Sequence, residues 1–82
     1  MLHTKKKITD IYKKYDTVIG TVIGFNNHGC FVRDSASDKV VYYRGSGMKG
    51  DKVQLSVSKV DPMRESVTCL LDTVLEYGEF VA

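Results

Sequence analysis

Residues 16–71 alternate between apolar and polar side chains with a period of two, which is typical of strands that bury one face. The alternation is clearest where Val53, Leu55 and Val57 are separated by polar residues. Turns rich in Gly, Asn, Asp and Ser separate the alternating segments. The pattern predicts five short antiparallel strands, at about 16–25, 30–33, 39–44, 52–60 and 66–71.

Five short strands with no second sheet cannot bury an apolar face as a flat layer, whereas closure into a small barrel removes their exposed edges. We therefore predict an all-β fold, a five-stranded antiparallel barrel. A bulge at Gly24 is expected to let Val22 and Phe25 both face the interior. Strand count alone leaves an SH3-like barrel and an oligonucleotide/oligosaccharide-binding (OB) barrel open. The predicted interior comprises Val22, Phe25, Cys30, Val32, Val40, Val53, Leu55, Val57, Val67 and Cys69.

The two ends of the chain carry apolar residues of their own. Near the amino terminus, helical spacing predicts a short amphipathic helix that packs on the domain. Its apolar stripe is Ile8, Ile11, Tyr12 and Tyr15. The acidic tail is too apolar for a disordered end, and we expect it to pack on the barrel or on a second molecule through Leu71, Val74, Leu75, Tyr77, Phe80 and Val81. The chain thus divides into an arm and helix at 1–15, a barrel at 16–72 and a packed C-terminal extension at 73–82.

Charge is distributed unevenly along the chain. The net charge of the 82 residues is +2, but residues 1–15 carry +4, residues 16–71 carry +1 and the tail carries −3. The basic arm, which includes Lys5, Lys6 and Lys7, favours a polyanionic partner, although a solvated basic terminus is the commoner reason for a single lysine run.

Composition excludes several classes of function. A chain of 82 residues forms one small domain. Two cysteines, Cys30 and Cys69, and two histidines without a CxxC motif predict reduced thiols, no metal site and no cofactor. No motif joins a nucleophile to a base, so we predict that the protein is not an enzyme. No apolar run is long enough for a membrane helix and no export signal is visible, which predicts a cytoplasmic protein with no membrane contact.

Strand two presents an aromatic side chain to solvent. If Cys30 and Val32 face the interior, then Phe31 and Arg33 face outward, because successive side chains of a strand point to opposite faces. An exposed phenylalanine beside a cation favours a binding role, since nucleobases stack on such rings. The alternative is that the amino-terminal stripe covers Phe31 and makes it part of a satellite core.

The chain resembles the ribosomal protein S1-type RNA-binding domain, an OB barrel, over about residues 16–72. The resemblance rests on Gly20-Thr21-Val22, Phe25, His28-Gly29-Cys30-Phe31-Val32, Lys49-Gly50-Asp51-Lys52-Val53, Val57, Val60-Asp61, Arg64 and Val67. Residues 45–48 and 50–53 are also similar to the family of bacterial translation initiation factor one, which shares this fold. The segment 45–50 is shorter than the helix or long loop that these relatives place between strands three and four.

The resemblance implies a site on the face of strands two and three. The two stacking positions of the family fall on His28 and Phe31. The family usually has a stacking aromatic residue at the first position, where this chain has His28. A strand-three position that is often His falls on Tyr42, and an Asp and an Arg around the last turn fall on Asp61 and Arg64. Taken alone, His28 is more typical of a turn residue, and Asp61 of a strand end that bonds nearby backbone.

Two functions follow as hypotheses. The first is a non-catalytic module that binds single-stranded RNA by stacking on Phe31 and Tyr42. Basic side chains would attract the phosphates, namely Arg33, Arg44, Arg64, Lys5, Lys6 and Lys7. The second is a protein-interaction barrel, a small adaptor or homodimer that uses the amino-terminal stripe and the tail. The near-neutral body favours the second, because nucleic-acid binders usually carry a stronger basic excess.

Overall fold

The computed structural model of the protein describes residues 7–78, so Lys5, Lys6 and the tail positions 79–82, with Phe80 and Val81, lie outside the described residues. One short helix precedes five strands. The elements are α1 (Ile8–Ile11), β1 (Thr17–Phe25), β2 (Gly29–Asp34), β3 (Val40–Arg44), β4 (Lys52–Asp61) and β5 (Ser66–Glu76).

The five strands form one closed barrel with the neighbour order β1-β2-β3-β5-β4, and β4 pairs back with β1. The all-β class and the OB-like barrel are therefore confirmed. One pair differs from the prediction, because β3 and β5 run parallel, with Tyr42 opposite Thr68 and Tyr43 opposite Cys69. The reason is geometric: a closed ring with an odd number of strands cannot reverse direction at every neighbour.

The barrel interior is filled by valines, one leucine and two cysteines, with a tyrosine at each end of the barrel. Val41 and Tyr43 of β3 face inward, so Val40, predicted to be interior, is exposed. Phe25 was also expected inside, but it follows the bulge at Val22/Gly24 as the last residue of β1 and is 66% exposed. The buried core consists of Tyr12, Val18, Val22, Cys30, Val32, Val41, Tyr43, Val53, Leu55, Val57, Val67 and Cys69.

Tyr12 closes the end of the barrel at which β2 ends and β1 begins. Ile8 and Ile11 pack against the core from α1, and the extended backbone of Tyr12 ends the helix and buries its ring. The Tyr12 hydroxyl donates to Asp34 Oδ2 at 2.7 Å and lies 2.7 Å from Ser37 Oγ. Tyr15, the fourth residue of the predicted stripe, has a positive φ and is 79% exposed, because the helix ends before it.

Tyr43 closes the opposite end of the barrel, where β3 ends and β4 begins. Its hydroxyl donates to the Ser46 carbonyl at 3.1 Å, so the connection between β3 and β4 folds over the barrel mouth. The buried carboxylate of Asp51 then accepts the amides of Met48 at 3.0 Å and Gly78 at 2.6 Å. These bonds hold the connection against the end of β5 without a helix between β3 and β4.

β5 continues past Asp72, the last residue of the predicted barrel segment, and ends at Glu76. Its second half pairs with β4, with Val53 opposite Val74 and Lys52 opposite Glu76. Val74 packs on the core as expected for the tail. Leu71, Leu75 and Tyr77, which were expected to be covered, are exposed. The pairing of β4 with this half of β5 changes register twice, which breaks the alternation that buries Val67 and Cys69, and Tyr77 lies beyond the end of the strand.

Replacement of Tyr12 by Phe should lower the free energy of unfolding by about 1.5–3 kcal/mol, because a buried carboxylate loses a hydrogen-bond donor. Urea titration followed by circular dichroism measures the change. Tyr15→Phe is the matched control and should change nothing, since that side chain is exposed. Equal effects of the two substitutions would contradict the role of the Tyr12–Asp34 bond.

Stability should also fall at alkaline pH. Burial raises the pKa of Tyr12 to about 12 from an ordinary value of 10.0, and that of the Cys69 thiol to about 12 from 9.0. Because the folded state keeps protons that the unfolded state has already lost, stability decreases as pH rises above about 9 and continues to decrease towards 12. Urea titrations from pH 8 to pH 11 test this, and Tyr12→Phe should show a shallower decrease above about pH 10.

Candidate nucleic-acid interface

Two aromatic rings stand side by side on the outer face of β2 and β3. Phe31 lies directly opposite Tyr42 in the register, and the ring centroids are 5.2 Å apart with planes inclined by 54°. Such tilted pairs are favourable beyond the area they bury. Phe31 remains 37% exposed and Tyr42 half-buried, so the pair forms a ledge that is open to solvent.

The residue row that contains this pair extends around the barrel. Gly24 lies opposite Phe31 on one side, and Thr68 lies opposite Tyr42 on the other. Thr68 in turn lies opposite Lys59 of β4. The row therefore runs from a residue without a side chain, across two rings, to an exposed lysine.

Gly29 and Asn26 hold the Tyr42 side of the ledge. A Cβ on Gly29 would overlap the Tyr43 carbonyl oxygen and would lie 2.7 Å from the Tyr42 hydroxyl oxygen, so only glycine lets the ring lie there. Asn26 Oδ1 accepts the amides of His28 at 2.8 Å and Gly29 at 2.9 Å. This turn fixes the approach of β2 to β3, and His28 occupies it as an exposed turn residue.

Two arginines flank the rings on the same outer face. Arg33 Nε lies 3.5 Å from an Asp38 carboxylate oxygen, but both side chains are largely exposed, so the ion pair contributes little and is easily exchanged for a phosphate. Arg44 is exposed at the end of β3 and lines a shallow cavity of about 390 Å³ together with His28 and Tyr42. The structure thus brings both arginines and His28 to the face that carries the rings.

Asp61 and Arg64 lie in the turn between β4 and β5, at the end of the barrel away from His28. Asp61 Oδ1 accepts the amides of Met63 at 3.0 Å and Arg64 at 3.3 Å, which is the turn-forming role considered for it from the sequence. The Arg64 side chain is exposed. Because β3 and β5 run parallel, this turn lies beside the start of β3, whereas Arg44 lies at its end.

Lys7 is not brought to the ring-bearing face. It precedes α1, and its backbone amide donates to the Asp10 carboxylate at 3.2 Å. α1 contacts β4, which β1 separates from β2 and β5 separates from β3. For the same reason the amino-terminal stripe does not cover Phe31, whose aromatic neighbour is Tyr42.

Lys59 is a basic residue at the β4 end of the row that contains the rings, and the sequence pattern missed it. The period of Val53, Leu55 and Val57 places residue 59 inward, but β4 changes register between Val57 and Lys59. The shift leaves Lys59 exposed and turns Val60 toward the core. The polar residues Ser56 and Ser58 give no signal of where in the strand the register changes.

No family model, curated protein or solved structure matches this chain. Within residues 7–78, no His, Cys, Asp and Glu side chains gather as a group that could hold a metal ion. None of the helical structure in that part of the chain has the length and apolar character needed to cross a membrane.

Replacement of Gly29 by Ala should destabilise the protein by about 1–3 kcal/mol and displace the Tyr42 ring, because the added methyl group overlaps backbone atoms of β3. Urea titration and the near-ultraviolet circular dichroism of the aromatic residues report the two effects. The control is Gly24→Ala, in the row of Phe31 and Tyr42, where a Cβ meets nothing within 4 Å. A Gly29→Ala variant with unchanged stability would show that the close approach of β2 to β3 is not needed.

Proposed function

We propose that the protein is a non-catalytic RNA-binding module that holds single-stranded RNA on the outer face of β2 and β3. The observation that carries the proposal is the solvent-open pair of Phe31 and Tyr42, placed opposite each other on neighbouring strands. Stacking of a base on an aromatic side chain contributes about 1–3 kcal/mol and tolerates any base, because every base has a π face. The motif resemblance to S1-type domains favours RNA as the strand that is bound.

The charges around the rings support a polyanionic ligand. Arg33 and Arg44 flank the pair on β2 and β3, and Lys59 ends the row on β4. Arg33 lies two residues along β2 from Phe31, and Arg44 lies two residues along β3 from Tyr42, so both share the outer face with the rings. The near-neutral charge of residues 16–71 implies that stacking, rather than bulk electrostatic attraction, supplies most of the affinity.

Replacement of Phe31 by Ala should weaken binding of a short oligouridylate by about 1–3 kcal/mol, which is the contribution of one stacked base. Fluorescence anisotropy with a labelled oligonucleotide measures the affinity. Tyr15→Ala is the matched control, since Tyr15 is an exposed aromatic residue next to α1 and away from the ring-bearing face.

The fold should survive the Phe31→Ala substitution, because the side chain is not part of the buried core. Circular dichroism of both variants checks this. Equal loss of affinity in Phe31→Ala and Tyr15→Ala would contradict stacking at the proposed site. Absence of binding by the unsubstituted protein would reject the proposed function itself.

Binding should also depend on salt. Each neutralised phosphate of a single strand adds about −0.7 to the slope of the logarithm of the binding constant against the logarithm of salt concentration. Arg44→Ala should make this slope shallower by about 0.7 over a fourfold change in salt. Lys13→Ala, which removes an exposed cation beyond α1, should leave the slope unchanged. A flat affinity in the unsubstituted protein would remove the electrostatic part of the proposal.

A protein-interaction barrel, acting as a small adaptor or homodimer, is the second candidate function. It is favoured by the apolar side chains that β5 and the residue after it leave exposed, namely Leu70, Leu71, Leu75 and Tyr77. The amino-terminal stripe, also predicted to contact a partner, leaves little apolar surface for one. Ile8 and Ile11 pack on the core and Tyr12 is buried. Parallel pull-downs with single-stranded RNA and with a cell lysate distinguish the two functions.

A further inference from the structure

We propose that a second base-binding pocket lies at the barrel mouth, between the β1–β2 turn and segment 45–47, with Phe25 as its stacking ring. The inference rests on the proposed function and extends the RNA track beyond the ledge of Phe31 and Tyr42. Its ligand is an unpaired nucleobase of the same strand. The notion of Phe25 as a core residue, suggested by its place in the sequence, is overturned by its exposure.

The pocket is a cavity of about 430 Å³, which lies within the ~300–1,000 Å³ range of small-molecule sites. Its walls are Phe25, the turn residues 26–29, Cys30 and segment 45–47. Phe25 leaves two thirds of its surface open, although it belongs to a strand that is paired on β2. A large aromatic side chain in a concave site beside backbone polar groups is the arrangement that receives planar ligands.

The pocket is continuous with the candidate interface. His28 lines both this cavity and the shallow cavity that Tyr42 and Arg44 line. Phe25 lies opposite the buried Cys30, one register position from the Gly24–Phe31 pair, so its ring stands at the barrel mouth beside segment 45–47 and not on the outer face that carries Phe31. A strand on the Phe31–Tyr42 ledge would therefore reach Phe25 by turning past His28 at this end of the barrel.

The wall opposite Phe25 is held in place before any ligand binds. The Tyr43 hydroxyl donates to the Ser46 carbonyl at 3.1 Å, and the Cys30 thiol donates to the Gly45 carbonyl at 3.6 Å. A Cβ on Gly47 would overlap the Tyr43 hydroxyl oxygen, so the backbone itself forms the wall. Backbone amide and carbonyl groups offer hydrogen bonds to the edge of a base, and a fixed wall lowers the entropic cost of binding.

Charge distinguishes this pocket from a larger cavity on the molecule. That cavity, of about 640 Å³, lies at the Tyr12 end and is lined by the carboxylates of Asp10, Asp16 and Asp34. A phosphate-bearing ligand is repelled there. Among residues 7–78, no carboxylate lines the Phe25 pocket, and Arg44 lines the adjoining cavity. Cavity volume alone would therefore favour the acidic cavity over the Phe25 pocket as a site for RNA.

The test compares diuridylate with tetrauridylate, because the ledge accommodates the shorter probe and the longer one also reaches the pocket. In the unsubstituted protein, affinity should rise from the dinucleotide to the tetranucleotide. In Phe25→Ala the tetranucleotide should bind at least about fivefold more weakly, with little change for the dinucleotide. Ile19→Ala is the matched control, an exposed apolar residue of β1 that lines the acidic cavity. NMR titration measures both affinities and follows the Phe25 ring resonances.

The outcomes separate this inference from the proposed function. If the tetranucleotide binds Phe25→Ala as it binds the unsubstituted protein while Phe31→Ala weakens it, the pocket is rejected and the ledge stands. If the unsubstituted protein binds neither probe, the proposed function is rejected. Should Phe25→Ala fail to fold, the unsubstituted protein decides: Phe25 ring resonances that shift with the tetranucleotide but not the dinucleotide support the pocket, and unmoved resonances overturn it.

Discussion

Closure of a ring of five strands is the constraint on which the rest of the structure depends. An odd ring requires a parallel neighbour pair, and here that pair joins β3 to β5. The pair places Thr68 beside Tyr42 and, through β5, brings Lys59 of β4 into the same residue row. The composition of the candidate interface is thus a consequence of closure as much as of β2 and β3 themselves.

Closure also divides the aromatic residues by role. The interior is narrow and takes mainly valine and cysteine, while two tyrosines with hydrogen-bonded hydroxyl groups fill its ends. Phe31 faces outward because its neighbours Cys30 and Val32 face inward. Phe25 follows the bulge in β1 as the last residue of the strand, and its ring is exposed there. Their removal should therefore affect binding more than stability, which makes the two properties separable by substitution.

The sequence pattern predicts the strands and most of the interior, because the period of two is a direct consequence of strand geometry. It predicts poorly wherever the register changes. The shift after Val57 exposes Lys59 and turns Val60 toward the core. The irregularity expected at Gly24 is present, but Phe25, which it was expected to bring inside, is exposed. The outward position of Phe31 is confirmed, since the extra residue of the bulge lies on β1 and β2 itself keeps its alternation between buried and exposed side chains. The role of that face in binding remains a prediction.

The balance between stacking and charge decides what kind of RNA binder this would be. Residues 16–71 carry a net charge of only +1, and the far end of the barrel has three aspartates around a cavity of about 640 Å³. Attraction of RNA at a distance would therefore be weak, whereas a base stacked on one ring would contribute about 1–3 kcal/mol to the proposed binding. Affinity should then grow with the number of rings that the strand reaches. A neutral barrel with a line of rings selects unpaired strands, because bases in a duplex cannot leave their neighbours to stack on protein.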